Sequence, residues 1–585
     1  MQTEVRACQN CKNEFAIEPD DFDFYSSINV PPPTFCPQCR MQRRMVARNE
    51  RALYRRACEL CKKQMISMYS PDKPFTVYCR DCWYGDGWDP LDYGADYDFS
   101  KPFFRQFREL MERVPRIGLM HLGNSNVNCD YTNFVFNSKN VYLAFSVVQS
   151  ENIYYSRLLD RSKDCVDCYH ANETELCYEN VDASRNYRCI FTLDTRDCLD
   201  SSFIYDCTNC QNCFMSSNLR NRQYVFRNKQ YAKEDYQRAI EELGMGKYEN
   251  LAALKKEFAE LRKKSFHRFA NVFKANDSTG NNLENVKRAV CAFDSYNLEN
   301  VKYFVRSFST KDSYDVLGTA HSERIFEAVS AGFGSYNARF ITFGNASRDM
   351  TYADWSQDGS NLFGCIGVRN RHHCILNKQY GKEEYERLVP KIVKHMNDMP
   401  YKDKAGRTYG YGEFYPIEIM PFAYNETIAY EFYPLTKEEA LAQGYGWRDP
   451  DPYVHAPTIK AESLPADIKD APNSVISEIV GCPECGRAYR ILEPELSLLR
   501  KFNVALPRKC QDCRHRDRFL MRNPYKLWRR RCMCSGANSE GQIAYPNTAK
   551  HPHGDGPCPN EFETSYAPER PEKVYCEQCY NAEIV

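Results

Sequence analysis

From residue 138 to residue 214 a short phrase recurs, in which one polar residue precedes a stretch of aromatic and β-branched side chains: SKNVYLAF, SENIYYSR, SKDCVDCY, TELCYEN, SRNYRCIF, TRDCLDSS and CTNCQNCF. Its polar position falls at Asn140, Asn152, Asp164, Glu175, Asn186, Asp197 and Asn209, a step of 11 or 12 residues. A polar turn residue followed by a short β-prone stretch at constant step is what a parallel β-solenoid requires. The spacing predicts one coil for every two or more such phrases. Cys165, Cys177 and Cys189 recur every 12 residues, as do Cys198 and Cys210, so these thiols are expected to stack as a ladder of small core fillers. For the dense set Cys207, Cys210 and Cys213 a metal site is the alternative to packing.

The pattern then turns helical from about Tyr231 to Phe269, with ALKKEFAELRKK strongly amphipathic, which predicts a cap or brace for the coil. A second stretch repeats the grammar with fewer cysteines: NLENVKRAV, NLENVKYFV, SERIFEAV, YNARFITF and SRDMTYAD. It ends RNRHHCILNKQYGKEEY where the first ends RNRQYVFRNKQYAKEDY, so Asn377 and Tyr385 answer Asn228 and Tyr236, 149 residues on. The middle of the chain reads as a duplicated coil-plus-helix. From about Lys391 to Glu478 the chain is rich in Pro, Tyr and acids, which predicts an extended connector with one short helix near Lys437.

The two ends carry paired cysteine knuckles. Cys8, Cys11, Cys36 and Cys39 form two CxxC pairs separated by 24 residues, and Cys58, Cys61, Cys79 and Cys82 follow with 17 between pairs. Four thiolates so spaced suit a closed, structural zinc site. Cys482, Cys485, Cys510 and Cys513 repeat the first spacing. Lining up Cys8 with Cys482 also superposes Cys58 on Cys532, Arg40 on Arg514, Arg44 on Arg518, Arg48 on Arg522, and Asn29-Val30 on Asn503-Val504, so the ends are internal copies. The fourth module is irregular: Cys532 and Cys534 have one residue between them, and an insertion carries His551 and His553 before Cys558. SPDKPFTVYCRDC reappears as APERPEKVYCEQC, which pairs Cys79 with Cys576 and Cys61 with Cys558. Cys532 or Cys534, with Cys558, Cys576 and Cys579, are the expected ligands. The spare thiol or His551 is the alternative fourth donor, against solvent-facing histidines on a flexible insertion.

After Cys39 comes RMQRRMVARNERALYRR, free of Gly and Pro, so a helix is expected to start at the second knuckle in treble-clef order. Arg40, Arg44, Arg48, Arg51 and Arg55 would stack on one helical face, with Glu50 the only acid nearby. A four-thiolate zinc site carries two negative charges, which accounts for the nearest arginines, Arg40 and Arg43. Contact with phosphates accounts for the longer stripe, since guanidinium forks match phosphate oxygens; protein contact or a solvated face are the alternatives. The C-terminal copy keeps Arg514, Arg518 and Arg522 and adds Arg529, Arg530 and Arg531 around Trp528, with Pro524 ending or kinking its helix. Asp86, Asp89, Asp92, Asp96 and Asp98 match no calcium-loop spacing and read as a solvated loop or a dock for the arginine helix.

Composition narrows these readings. At 585 residues several cores are expected, and 78 basic against 78 acidic residues exclude a polycationic nucleic-acid coat, so any charge effect is local. The absence of a signal-like start or an apolar run of about 18 residues predicts a cytoplasmic chain with no membrane partner. An odd cysteine count of 29, many in CxxC pairs, favours reduced thiols holding metal over disulfides. No phosphate-binding glycine loop, GxSxG elbow or HExxH helix occurs, and His170, His321, His372 and His373 are expected at the surface or in satisfied hydrogen bonds.

The phrases CQNCKNEFAIEPDDFDFY, VPPPTFCPQCRMQRRMVARNERALYRR, SPDKPFTVYCRDCW and CPNEFETSYAPERPEKVYCEQCY resemble an uncharacterised bacterial family with treble-clef or zinc-ribbon domains, found mostly in candidate-phylum bacteria. The likeness spans nearly the whole chain. It implies zinc at the cysteine sets and no assigned activity.

The expected architecture is therefore multidomain, β-rich α+β, with treble-clef or zinc-ribbon modules flanking a duplicated parallel β-solenoid with helical braces. Its segments are a treble-clef module at 1–56, a second zinc module with an acidic loop at 57–100, solenoid repeat one at 101–230, a helical segment at 231–275, and solenoid repeat two at 276–380. A helix and connector follow at 381–478, then the treble-clef copy at 479–531 and the last zinc module at 532–585. About four structural Zn2+ ions are expected. The leading functional expectation is a non-enzymatic protein gripping nucleic acid or a ribonucleoprotein through the arginine helices; the alternatives are a protein-interaction scaffold and, third, a solenoid enzyme acting on a polymer.

Overall fold

The computed structural model describes residues 2–122, 125–451, 455–534, 547–554 and 556–584. It is a strand-rich mixed α/β architecture forming two compact units, each drawn from two separated stretches: Met1–Met120 with Val272–Asp449, and His121–Asn271 with Pro450–Val585. Each unit thus joins one knuckle-bearing end to one run of the repeated phrase, a grouping that the linear order of segments does not disclose.

In the unit holding 121–271, parallel strands pair at a constant step of twelve: Lys139 opposes Glu151, Glu151 opposes Lys163, and Lys163 opposes Glu175. A second row does the same, Phe145 with Arg157 and Arg157 with Tyr169. One phrase, not two or more, therefore returns the chain to register. The reason is a kink every third residue: Asn140, Leu143, Ser146 and Gln149 have φ of 54°, 46°, 57° and 47°, all left-handed. Each residue after a kink turns inward, so Val141, Ala144, Val147 and Ser150 are buried.

Among residues with a Cβ the left-handed region is tolerated best by Asn and Asp, and here their side chains also form a ladder. Asn128 Nδ2 donates to Asn140 Oδ1 at 3.0 Å, Asn140 to Asn152 at 2.8 Å and Asn152 to Asp164 at 2.6 Å. Where the kink residue is bulky, rung hydrogen bonds such as Tyr155 N to Tyr142 O at 3.1 Å hold it in place.

The inward rows carry the cysteines. Cys165 lies opposite Cys177 in the register, and Cys165, Cys177, Cys189 and Cys198 are all buried, as a packing ladder requires. Each thiol donates to the carbonyl two residues back, for example Cys165 to Lys163 O at 3.2 Å and Cys177 to Glu175 O at 3.3 Å. Cys207, Cys210 and Cys213 make the same bond, to Tyr205 O, Thr208 O and Gln211 O at 3.3, 3.3 and 3.5 Å, and lie in the same buried core cluster as the other ladder thiols. The expected brace is present: helix Tyr248–Lys264 lays Leu251, Leu254 and Phe258 into one cluster with Phe191, Phe203 and Phe214.

The unit holding 272–449 repeats this arrangement with mostly aliphatic inward positions, among them Val286, Ala289, Leu298 and Val301. Its step is also twelve, Glu284 to Tyr296 to Phe308, until the register shifts and Glu323 opposes Tyr336 thirteen residues on. The extra residue sits at Gly332, φ 69°, where a Cβ would meet Gly344 O at 2.2 Å. Helix Lys382–Asp398 follows, and the short helix expected near Lys437 spans Lys437–Ala442, capped by Thr436. Among the described residues no helix is long and apolar enough to cross a membrane.

One buried histidine ties acid stability to the fold. His267 Nδ1 meets Tyr205 Oη at 2.6 Å and Nε2 meets Arg262 O at 2.9 Å, and burial holds its pKa down to about 4. A folded pKa below the unfolded value of about 6.5 means that the unfolded chain binds the proton first. Its contribution is complete above about pH 6.5 and is lost as pH falls towards 4. Unfolding free energy is expected to drop in that window with a slope approaching ~1.4 kcal/mol per pH unit relative to a His267→Gln variant, read by urea titrations; parallel pH profiles would contradict it.

Candidate metal centres

Four groups of four thiols each gather with their Sγ atoms within 4.8 Å of one another: Cys8, Cys11, Cys36, Cys39; Cys58, Cys61, Cys79, Cys82; Cys482, Cys485, Cys510, Cys513; and Cys532, Cys558, Cys576, Cys579. Closest approaches include Cys11–Cys36 at 3.6 Å, Cys61–Cys79 at 3.8 Å, Cys485–Cys510 at 3.6 Å and Cys558–Cys576 at 3.8 Å. A tetrahedron of thiolates about 2.3 Å from a central ion has edges of ~3.8 Å, whereas a disulfide needs ~2.05 Å. The donor sets therefore fit a metal ion such as zinc, and among the described residues no disulfide joins two cysteines.

Local sequence builds the same knuckle three times. The residue after the second cysteine is left-handed, Lys12 at 65°, Lys62 at 63° and Gly486 at 73°. This closes a ring in which Cys8 N donates to Asn13 O, Cys58 N to Lys63 O and Cys482 N to Arg487 O, each at 2.9 Å. The second knuckle starts a helix: Cys36, Cys79 and Cys510 cap Pro37–Val46, Arg80–Tyr84 and Gln511–Phe519. Their N–H groups point back at sulfur, Cys36 N to Cys8 Sγ at 3.2 Å, Cys79 N to Cys58 at 3.2 Å and Cys510 N to Cys482 at 3.4 Å. Burial pushes the Cys58 thiol up, but the N–H groups of Cys79, Cys61 and Leu60 outweigh it and bring the pKa to about 6. Cys482 falls to about 7, burial again opposed by N–H groups, here of Cys510, Cys485 and Glu484. One thiol of each of these two modules is thus favoured as thiolate, the form that binds metal, while burial pushes Cys79, Cys82, Cys510 and Cys513 up.

The fourth module keeps this plan with its knuckle split. Cys532 N donates to Asn560 O at 2.9 Å, as Cys8 N does to Asn13 O, and Cys576 N donates to Cys532 Sγ at 3.2 Å. Cys532 thus takes the place of Cys58, and the structure brings it, not Cys534, together with Cys558, Cys576 and Cys579. The histidines are not solvent-facing: His551 is buried, with Nε2 against Glu583 Oε1 at 2.8 Å.

The arginine stripe departs from expectation. Helix Pro37–Val46 carries only Arg40, Arg43 and Arg44; Arg48 and Arg51 lie beyond its end, and Arg55 sits exposed in strand Tyr54–Ala57. Helix propensity yields to tertiary bonds of Asn49, whose Nδ2 donates to Ala52 O and Met68 O, both at 2.8 Å. Arg40, Arg43, Arg44 and Arg48 are 1, 1, 1 and 6% exposed, so they are not placed to meet phosphates. Arg40 and Arg44 grip Asp315 at 2.8 and 2.9 Å; Arg43 meets Glu327 at 3.1 Å and Glu413 at 3.2 Å. Arg48 reaches Glu50 at 2.6 Å and Ser330 Oγ at 2.5 Å, and Arg51 lies 3.9 Å from Glu431.

The C-terminal copy does the same. Its helix stops at Phe519, before Pro524, and Arg529, Arg530 and Arg531 lie in a strand, Trp528–Arg531. Arg514 pairs with Asp167 at 3.0 Å and Glu495 at 2.8 Å, Arg518 with Asp167 at 2.8 Å, and Arg522 with Asp182 at 2.8 Å; all three arginines are buried. Asp167 and Asp182 precede Asp315 and Ser330 by 148 residues, the repeat offset before the one-residue insertion. Each unit therefore docks its own knuckle helix on equivalent kink residues of its own stack. Those acceptors were missed in the sequence, although the shared offset could have matched them to the paired arginines.

The remaining candidates fall in place. Asp89 pairs with Arg371 at 3.1 Å and Asp96 with Lys378 at 2.6 Å, so these acids face the end of the parallel stack rather than the arginine helix. His170 bonds Asp182 at 2.7 Å, His372 meets Ser360 Oγ at 2.7 Å, His373 packs on Tyr385 and His321 stacks on Phe333. A scan against protein-family models and a search of curated proteins find no match to the chain.

Proposed function

We propose that the chain is a non-enzymatic, zinc-stabilised interaction scaffold, in which treble-clef and zinc-ribbon modules clamp two β-solenoids that carry the binding surface. Zinc is favoured as the ion because four thiolates at tetrahedral spacing suit a soft, redox-inert dication. The observation that carries the reading is the inward turn of the arginines: most of the cationic side chains on which a nucleic-acid grip would depend, with their neighbour Arg43, turn inward, Arg40, Arg43 and Arg44 onto Asp315 and Glu327, and Arg514, Arg518 and Arg522 onto Asp167 and Asp182.

The second solenoid instead displays aromatic rows outward. Phe308 lies 6.0 Å from Phe333, itself stacked with His321 at 6.1 Å, and Phe333 and Tyr336 are 40 and 37% exposed. Charged rungs flank them, such as Lys311 with Glu323 at 3.1 Å. Aromatic anchors beside polar rims are the usual make-up of protein-binding surfaces.

The purified chain is expected to show no salt-dependent retention on RNA or DNA, and to keep protein partners after nuclease treatment that a Phe308→Ala/Phe333→Ala variant loses. Retention that falls steeply with salt, or partners released by nuclease, would favour the nucleic-acid reading instead.

A further inference from the structure

The insertion that splits the fourth knuckle brings a second donor set against the first. Cys534, His551, His553 and Cys579 place one ligand atom each within 4.8 Å of the others, and Cys579 also belongs to the quartet with Cys532, Cys558 and Cys576. We propose that the C-terminal module holds two metal ions bridged by the Cys579 thiolate, the second completed by Cys534, His551 and His553. The inference rests on the four-thiolate metal reading of the neighbouring quartet.

Three observations point to an ion rather than to packing. First, Cys534 Sγ is met at once by His551 Nδ1 at 2.9 Å, His553 Nε2 at 3.1 Å and Asn547 Nδ2 at 3.1 Å. A thiol has a single proton and can give it to only one of these imidazole nitrogens, whereas a thiolate and two imidazoles can share a cation.

Second, His551 is oriented as a ligand. Glu583 Oε1 accepts from Nε2–H at 2.8 Å, which leaves the Nδ1 lone pair facing Cys534, and both side chains are 0% exposed. A carboxylate behind a histidine in this way fixes the tautomer of metal-bound imidazole. Third, the charge balance improves. A lone four-thiolate site with one dication keeps two negative charges, whereas five thiolates with two dications keep one, and all four cysteines of the first quartet and Cys534 are buried. The donor set, two sulfurs and two imidazole nitrogens, is one that zinc accepts in closed tetrahedral sites.

The test is zinc content per chain, by elemental analysis and native mass spectrometry, in the full-length zinc-loaded protein and two variants, His551→Ala/His553→Ala and Cys534→Ser. Both variants leave the Cys532, Cys558, Cys576 and Cys579 quartet intact. Each is expected to lose one equivalent of zinc. Unchanged content overturns the proposal, and so does loss of two equivalents, which would make these residues supports of the first site.

In the cobalt(II)-loaded protein the shared thiolate is expected to couple the two spins. The resonance per cobalt should therefore rise in the double-histidine variant, and equal intensity would refute the bridge. A wild-type chain with its quartets filled but no variant difference removes only the second ion; a chain with no zinc removes the underlying reading too.

Discussion

Removing the metal with a chelator under reducing conditions is expected to unfold the four knuckle modules while leaving the parallel stacks folded. Structural zinc in small domains contributes on the order of 10–16 kcal/mol per site, more than any other interaction available to these segments. The hairpin Glu4–Ala7 with Glu14–Ile17 has four residues per strand, and helix Arg80–Tyr84 has five, too short to persist without a cross-link. The stacks have apolar interiors of their own, lined by rows such as Val141, Ala144 and Val147 or Val286, Ala289 and Leu298, with no need of an ion. Hydrogen exchange should show protection collapsing across residues 2–82 and 482–584, and persisting from 139 to 226 and from 283 to 375. Full protection of the ends after verified metal loss would contradict a structural role for the ions.

How far the sequence disclosed this arrangement depends on which physical signal each part leaves. The cysteine quartets were legible because ligand geometry fixes spacing, and the split knuckle was legible in part, through the Cys576 and Cys579 phrase. The stacked thiols and the twelve-residue step were legible because pairing in register repeats residue type. The number of phrases per turn was not. That depends on the left-handed kink at every third residue, and kink positions hold Leu143, Tyr155 and Phe191 as well as Asn and Asp, so composition does not mark them.

The arginines misled for a different reason. Their four-residue spacing correctly aligns Arg40 with Arg44, but whether such a row faces solvent or carboxylates depends on residues some 270 positions away, and Asp315 carries no local sign of its role. Asn49 likewise ends the helix through Met68 O, a contact that propensity cannot foresee.

Those buried carboxylates give the second large effect. Asp315→Ala is expected to destabilise its unit by about 3–5 kcal/mol, because it leaves a buried guanidinium without its counter-charge. Arg40, Arg43 and Arg44 are balanced by Asp315, Glu327 and Glu413, three cations to three anions, and every one of the six is buried. Burial pushes the Glu327 carboxyl above its ordinary range while Arg43 and Arg44 pull it down, so desolvation is a large opposing term and the network has little attraction in reserve. Asp167→Ala should act alike in the other unit, where Arg514 and Arg518 both rely on it.

The exposed pair Lys311–Glu323 is the internal control, since solvent screens a surface bridge and leaves it little effect on stability. Urea midpoints with metal content checked in parallel separate the effects: Asp315→Ala should lower the midpoint without loss of zinc, Glu323→Ala should leave it almost unmoved. Replacing Asp315 together with Arg40 by apolar residues of similar volume should recover most of the loss, because Arg43 and Arg44 then face Glu327 and Glu413, two cations to two anions. If Asp315→Ala and Glu323→Ala lower stability equally, the arginines are not held by charge, and the inward dock of the knuckle helix loses its physical basis.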